Sequence, residues 1–216
     1  MYIDIVSDLI CPWCFIGKRR LDEVLASPAG AGVIPRWRPF QLYPQLPMDG
    51  LDRATFMRAR FGEDAANRGT PQVILDEARG AGIELNYGAV KRVPNTLNGH
   101  RLVDWVGPGA QQHALMDTLF RYYFCEGRDL GDLGTLADAA ASVGVDREAA
   151  AAMLRREDGV DDVRALVQDA YDAGVTGVPC FVLPTGYAIP GAQSVETLTR
   201  FIERSRELEQ EQQQHA

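Results

Sequence analysis

The spacing of apolar residues along this chain changes twice. Tyr2-Ile3-Asp4-Ile5-Val6 is a short, mostly apolar run of the kind that fits a central strand. Asp8 to Ile10 read as a turn. Behind Cys11 and Cys14, the spacing of Leu21, Val24 and Leu25 predicts a helix, which Pro28 and the glycines after it stop. In "VIPRWRPFQLYP", Val33 to Pro44, aromatic and apolar residues stand between prolines, which suits an extended strand near a sheet edge or at its exit. Strand, helix, strand is the opening of a parallel α/β unit.

From about Leu51 to Gly174 the period becomes helical. Phe56, Met57, Arg60 and Phe61 mark one helix, and Ala114, Leu115, Leu119, Tyr122 and Tyr123 another. Leu133, Leu136, Ala140 and Val143 mark a third. Asp146 is placed to cap "REAAAAMLRR", with Glu148 suiting its first turn. Val160, Val163, Val167, Ala170 and Tyr171 follow at helical spacing, closed by Gly174. Strand-like sequence then returns. Cys180 to Leu183 and Tyr187 to Ile189 flank a Pro184-Thr185-Gly186 turn, which reads as a hairpin, and Ser194 can cap a last helix carrying Val195, Leu198, Phe201 and Ile202. The tail "ELEQEQQQHA" has no apolar face and is expected to fray. The pattern is an α/β core, interrupted by a helical insertion and then completed.

Composition narrows the function. Of 216 residues, 46% are hydrophobic and 24% charged, enough to bury a substantial core. The formal charge of −8 argues against nucleic acid as a partner, because neutralising phosphates requires clustered Lys and Arg. The dense basic run Lys18-Arg19-Arg20 reads as a solvated helix face. No apolar run reaches the ~20 residues that cross a bilayer. The opening "MYIDIVSDLI" lacks a basic region and carries Asp4 and Asp8, so it reads as a buried strand and not a signal peptide. A cytoplasmic location is the expectation. There structural disulfides are rare, and a close cysteine pair is more often catalytic or metal-binding.

The candidate chemistry sits in "DLICPWCFIG", Asp8 to Gly17, which holds two of the four cysteines. A closed zinc site needs about four ligands. Cys125 and Cys180 stand alone, and only His100, His113 and His215 remain, so the ligand count disfavours metal. Redox chemistry fits the residues. The thiolate is the nucleophile, and a helix N-terminus stabilises it through free N–H groups and the helix dipole. Pro12 belongs at such a start, where its missing N–H costs nothing. Cys11, at the end of the loop, is expected to be exposed and attacking. Cys14, one turn on, is expected to be shielded and able to close a ring on Cys11 through a mixed disulfide. Trp13 reads either as a platform beside the active sulfur or as a partly exposed aromatic without a role. Cys125 and Cys180 read as small buried hydrophobes. His100 reads as a helix-start histidine with a structural hydrogen bond.

These residues resemble the DsbA family of thioredoxin-fold proteins, most of all its FrnE-like branch. The resemblance rests on Asp8-Leu9-Ile10-Cys11-Pro12-Trp13-Cys14 with its helix, "WRPFQLYP", "NTLNGHRL" (Asn95 to Leu102) and "GVTGVPCFVL" (Gly174 to Leu183). It implies an α/β thioredoxin fold with a helical domain inserted between the second and third core strands. The expected division is core at 1–47, insertion at 48–174, core again at 175–208 and a polar tail at 209–216. It also implies that Pro179 is a cis proline facing the pair and that Val178 offers its backbone to a substrate, with Pro12 and Trp13 beside them. Residue statistics alone favour a trans Val178–Pro179 bond.

The implied activity is thiol–disulfide exchange on protein or small-molecule disulfides, with no cofactor beyond the cysteine pair and with glutathione as a candidate small partner. Oligomeric state is not legible. Related glutathione-dependent enzymes, the 2-hydroxychromene-2-carboxylate isomerases and kappa-class transferases, form the alternative. They typically carry serine where Cys11 stands, so retention of both cysteines favours exchange. A holdase-like chaperone is a third reading. Pro-Trp in place of the Pro-His of strongly oxidising relatives implies a less oxidising protein.

Overall fold

The computed structural model describes residues 1–67 and 69–214, with the side chains of 66, 67 and 209–214 outside that description. Alternation in the opening run sets the first strand, β1 (Tyr2–Ser7), whose Ile3 and Ile5 are fully buried. The chain turns at Leu9 and Ile10 into α1 (Pro12–Leu25), with Cys11 as its N-cap and Pro12 in the first turn. It returns as β2 (Ile34–Pro39), paired parallel to β1 with Tyr2 opposite Ile34 and Ser7 opposite Pro39. Prolines 35 and 39 are tolerated because β2 is an edge strand. One of its N–H groups still needs a partner, and the Trp37 N–H donates to Gln112 Oε1 at 2.9 Å.

The segment between β2 and the next core strand is mostly helical. A two-stranded antiparallel pair, β3 (Leu51–Asp52) and β4 (Arg92–Val93), brackets α2 (Arg53–Phe61) and α3 (Gln72–Gly80) along the chain. Five more helices follow: α4 (Leu97–Val106), α5 (Ala110–Phe124), α6 (Leu133–Ser142), α7 (Arg147–Arg155) and α8 (Val160–Asp172). As the spacing predicts, the Asp146 carboxylate accepts from the Ala149 N–H at 2.6 Å to cap α7. The chain re-enters the sheet as the hairpin β5 (Cys180–Val182) and β6 (Ala188–Pro190) and ends in α9 (Val195–Gln214), where Ser194 Oγ accepts from the Thr197 N–H. The sheet order is β2-β1-β5-β6, with β5 antiparallel to β1.

Insertion and core share one apolar interior. Phe15 of α1 stacks on Phe120 and Phe124 of α5, with ring centroids 5.3 and 6.1 Å apart. A polar seam reinforces the contact. Trp37 Nε1 donates to His113 Nδ1 at 3.1 Å, so the ring proton sits on Nε2, which donates to Asp22 Oδ1 at 2.6 Å. Lys18, only 4% exposed, lies between Asp22 at 2.7 Å and Asp117 at 3.2 Å.

Four features depart from the sequence reading, the first being Lys18, which is buried between two carboxylates and not part of a solvated helix face. The short β3–β4 pair and α3 carry too few periodic residues to be seen in the pattern. The tail expected to fray instead continues α9 to Gln214, because Glu and Gln are good helix formers and need no apolar face to extend an established helix. Its last two residues, His215 and Ala216, lie outside the described residues.

Candidate active site

The turn after β1 is built by Asp8. Its backbone carbonyl accepts from the Cys11 N–H at 3.1 Å, and its carboxylate Oδ2 accepts from the Leu42 N–H at 2.7 Å, tying the turn to the chain leaving β2. Cys11 then caps α1 with extended backbone (φ −93°, ψ 115°), and its carbonyl accepts the first helical bond from the Cys14 N–H at 3.1 Å. The Val178–Pro179 bond is cis, and it brings the Val178 carbonyl oxygen to 3.5 Å from Cys11 Sγ. Pro179 packs on α1 at Gly17, where a Cβ would stand 2.9 Å from the proline Cγ.

The two cysteines differ in environment. Cys14 is fully buried, and burial pushes its thiol well above the ordinary range. Its hydrogen bond to Cys11 and the charge of a Cys11 thiolate push the same way, opposed by the Ser7 hydroxyl and the Asp8 backbone. Cys11 is not exposed as expected. It retains 4% of its surface, because the Val178–Pro179 loop closes over it. The helix start alone puts Cys11 at a loop end, and the segment that covers it comes from 167 residues further along the chain.

Beside Pro12 a cleft of about 450 Å³ opens between the cysteine helix and the insertion, walled by Ile10, Leu42, Tyr43, Phe56 and Tyr87. Among the described residues its one charged wall residue is Arg53, whose guanidinium lies 5.4 Å from the Tyr87 ring centre. Tyr87 is held protonated, by burial first and then by the charge of a Cys11 thiolate, with Arg53 opposing.

Of the residues singled out from the sequence, Cys11, Cys14, Pro12, Val178 and Pro179 come together. Trp13 is half-buried and packs against the core. Cys180 turns away into a satellite cluster with Val6, Phe40 and Ala170. Cys125 is half-buried at the end of α5, and burial raises both of these thiols. Among the described residues there is no cluster of three or more His, Cys, Asp or Glu able to hold a metal, and no helix is long and apolar enough to cross a membrane.

The "NTLNGHRL" run is chiefly a joint. Asn95 accepts from the Gln41 side chain and the Leu97 N–H and donates to the Leu46 carbonyl. Arg101 gathers the carbonyls of Met153, Arg156 and Asp158 between α7 and α8. His100 does something else. Buried to 3% exposure, it sets Nε2 3.5 Å from Asp8 Oδ1, and that nitrogen makes no hydrogen bond of ordinary geometry. Sequence reasoning missed Ser7 and Asp8 as site residues. The available signal was a Ser-Asp pair closing an apolar strand directly before the cysteines.

Residues 2–203 match the DsbA-like thioredoxin domain. The chain belongs to that family. A DsbA-like domain thus spans nearly the whole sequence, with the helical segment inside it. The chain is 27% identical over 203 residues to the uncharacterized protein YwbO of Bacillus subtilis, covering 94% of this chain and 96% of that one. A probable DsbA oxidoreductase of Streptomyces coelicolor is 30% identical, with a TM-score of 0.80 over 95% of this chain and 89% of its own. The cytosolic disulfide reductase DsbM of Pseudomonas aeruginosa shares the DsbA-like fold at 16% identity, with a TM-score of 0.64 over the full length of both chains.

Proposed function

We propose that this DsbA-like protein is a thiol–disulfide oxidoreductase that works in the cytoplasm through Cys11-Pro12-Trp13-Cys14. The observation that carries the reading is the asymmetry of the pair. Cys11 Sγ faces the Val178 carbonyl, where a substrate chain can lie, while Cys14 is sealed beneath it with its proton held. The Cys11 thiolate attacks a substrate disulfide, forms a mixed disulfide and releases one substrate thiolate. Cys14 then attacks Cys11 Sγ, releases the second thiolate and leaves the Cys11–Cys14 disulfide, two electrons having passed to the substrate. The reverse sequence oxidises a dithiol. Pro12, Trp13, Val178 and Pro179 form the surface against which the substrate sulfur is presented. No cofactor enters these steps, and glutathione qualifies as a small substrate.

The test is covalent trapping. Cys14→Ser should accumulate mixed disulfides with its substrates, and Cys11→Ser should trap none and reduce no insulin. Trapping by Cys11→Ser alone overturns the assignment of roles.

The apolar cleft beside Pro12 favours a second reading, glutathione-dependent isomerisation or transfer on a small apolar substrate. Under that reading Cys11→Ser retains glutathione-dependent turnover of an aromatic substrate, because the activated sulfur belongs to glutathione.

A further inference from the structure

The cleft beside the cysteine helix holds a cation that the fold itself leaves without an anion. Ile10 and Pro12, the chain neighbours of Cys11, both line this cleft, so it opens next to the attacking residue. Arg53 stands in its wall as the first residue of α2, anchored by its own N–H, which donates to the Lys91 carbonyl at 2.8 Å. Its guanidinium lies over Tyr87, and among the described residues no carboxylate pairs with it. The adjacent acid, Asp52, is engaged by the Thr55 N–H and hydroxyl at 2.9 and 3.1 Å. Elsewhere in this acidic chain Arg20, Arg36, Arg92 and Arg128 each meet a carboxylate. Around Arg53 the wall carries Leu42, Phe56, Ile74 and Val93, whose side chains offer no hydrogen bond. The volume of about 450 Å³ lies within the range of small-molecule sites, about 300–1,000 Å³. A guanidinium among apolar groups attracts an anion more strongly than it would in water, and its planar fork matches a carboxylate.

Resting on the exchange reading above, we infer that Arg53 selects the substrate. The cleft takes a small disulfide, one half of which is an apolar ring-sized body bearing a carboxylate that pairs with Arg53. Tyr43, Phe56 and Tyr87 supply ring faces for that body. The Cys11 thiolate attacks the sulfur of the half held in the cleft. A bond from Cys11 to that sulfur forms, the substrate disulfide breaks, and the other half leaves as a thiolate with the electron pair. Cys14 then bonds to Cys11 and frees the held half. Two electrons have passed from the protein dithiol to the substrate, and one of the released halves carries off the Cys14 proton. Arg53 takes no part in these bond changes and acts on specificity alone.

The experiment is single-turnover reduction of two matched disulfides by the reduced full-length protein, followed by arylthiolate absorbance over a range of disulfide concentrations. The pair is bis(para-carboxyphenyl) disulfide and its uncharged bis-carboxamide. Dividing each rate by that of mercaptoethanol removes the difference in intrinsic reactivity. The formal charge of −8 repels an anion at long range, so without a local cation the acid should react more slowly than the amide. The wild type should instead prefer the acid roughly ten- to a hundredfold, the scale of a hydrogen bond to a charged group. Arg53→Gln should erase that preference through a higher half-saturating concentration and not through the limiting rate. Arg53→Lys keeps the charge and should retain part of it. The amide reaction controls for folding and for any effect of the guanidinium on Cys11. A wild type that does not favour the acid overturns the proposal with no variant needed. A preference that survives Arg53→Gln, or equal slowing of both reactions, also overturns it. If Arg53→Gln slows insulin reduction while the matched pair shows no preference, the cleft serves polypeptides and the small-acid proposal falls. Reduction of insulin with neither aryl disulfide consumed overturns this proposal alone, and failure on all three overturns the exchange reading with it.

Discussion

Cys11 Sγ stands 3.5 Å from the Val178 carbonyl oxygen, a partner 167 residues away in the chain. That contact leaves Cys11 as the only sulfur of the pair facing the loop where substrate is presented, with Cys14 enclosed below it.

Alkylation should report this difference. Iodoacetamide at neutral pH should label Cys11 first and leave Cys14 unmodified, because burial and then Cys11 hold the Cys14 proton. Cys14 labelling should rise only in alkaline solution. A thiol whose folded pKa lies above the ordinary ~8.5 stabilises the fold below that pH, and this contribution fades as pH rises toward the folded value. Peptide mass spectrometry across pH checks it, and equal labelling of both cysteines at neutral pH refutes it.

Gly17 gives a test of the loop's seat. Alanine there places a Cβ 2.9 Å from Pro179 Cγ and 3.4 Å from the Phe181 ring. The helix gains about 1 kcal/mol from losing a glycine, while overpacking costs about 1–3 kcal/mol. Gly17→Ala should therefore lower stability and slow exchange by displacing Val178 from Cys11. Thermal melts and insulin reduction measure both, and an unaltered exchange rate argues against the seat.

The seam between core and insertion should be sensitive to acid. Burial alone would raise the Asp22 carboxyl, but the His113 hydrogen bond and Lys18 hold it below its usual range. A depressed folded pKa stabilises the protein above the ordinary ~3.9 and loses that contribution as pH falls through the folded value. Asp22→Asn should thus cost about 1–3 kcal/mol at neutral pH, with the deficit shrinking below the ordinary carboxylate range. Denaturant melts of both proteins at neutral and acidic pH check the sign, and a deficit that grows in acid contradicts it.

Arg101 should not accept lysine. Its planar fork serves the Met153, Arg156 and Asp158 carbonyls and the Asn98 side chain from a site 4% exposed, a geometry that an ammonium cannot reproduce. Arg101→Lys should lose about 2–4 kcal/mol through unpaired carbonyls, read from chemical denaturation. A loss below the scatter of the melts would show that water replaces the guanidinium.

Helices with several periodic apolar residues, such as α5, α6 and α8, were legible in the sequence because period 3.6 in a sequence is a direct record of burial on one face. The cysteine helix was legible for a second reason, its Pro12 at the first turn. Elements of two residues, β3 and β4, have no period to read. The polar end of α9 is not legible, because a missing apolar face says how a helix packs and not whether it continues.

By itself the sequence determined the core strands, the helices with a clear apolar period, the helical interruption between the second and third core strands and the Cys-Pro-Trp-Cys pair at a helix start. Each of these depends on residues within a few positions of one another. Tertiary structure alone decided that Val178 covers Cys11, that Pro179 requires a glycine at position 17, and that His100 of the insertion meets Asp8 at the end of β1. Those relationships join segments far apart in the chain through burial and close packing. No local pattern records which polar groups will be shut away together, so the pairing exists only once the sheet and the insertion have closed on each other.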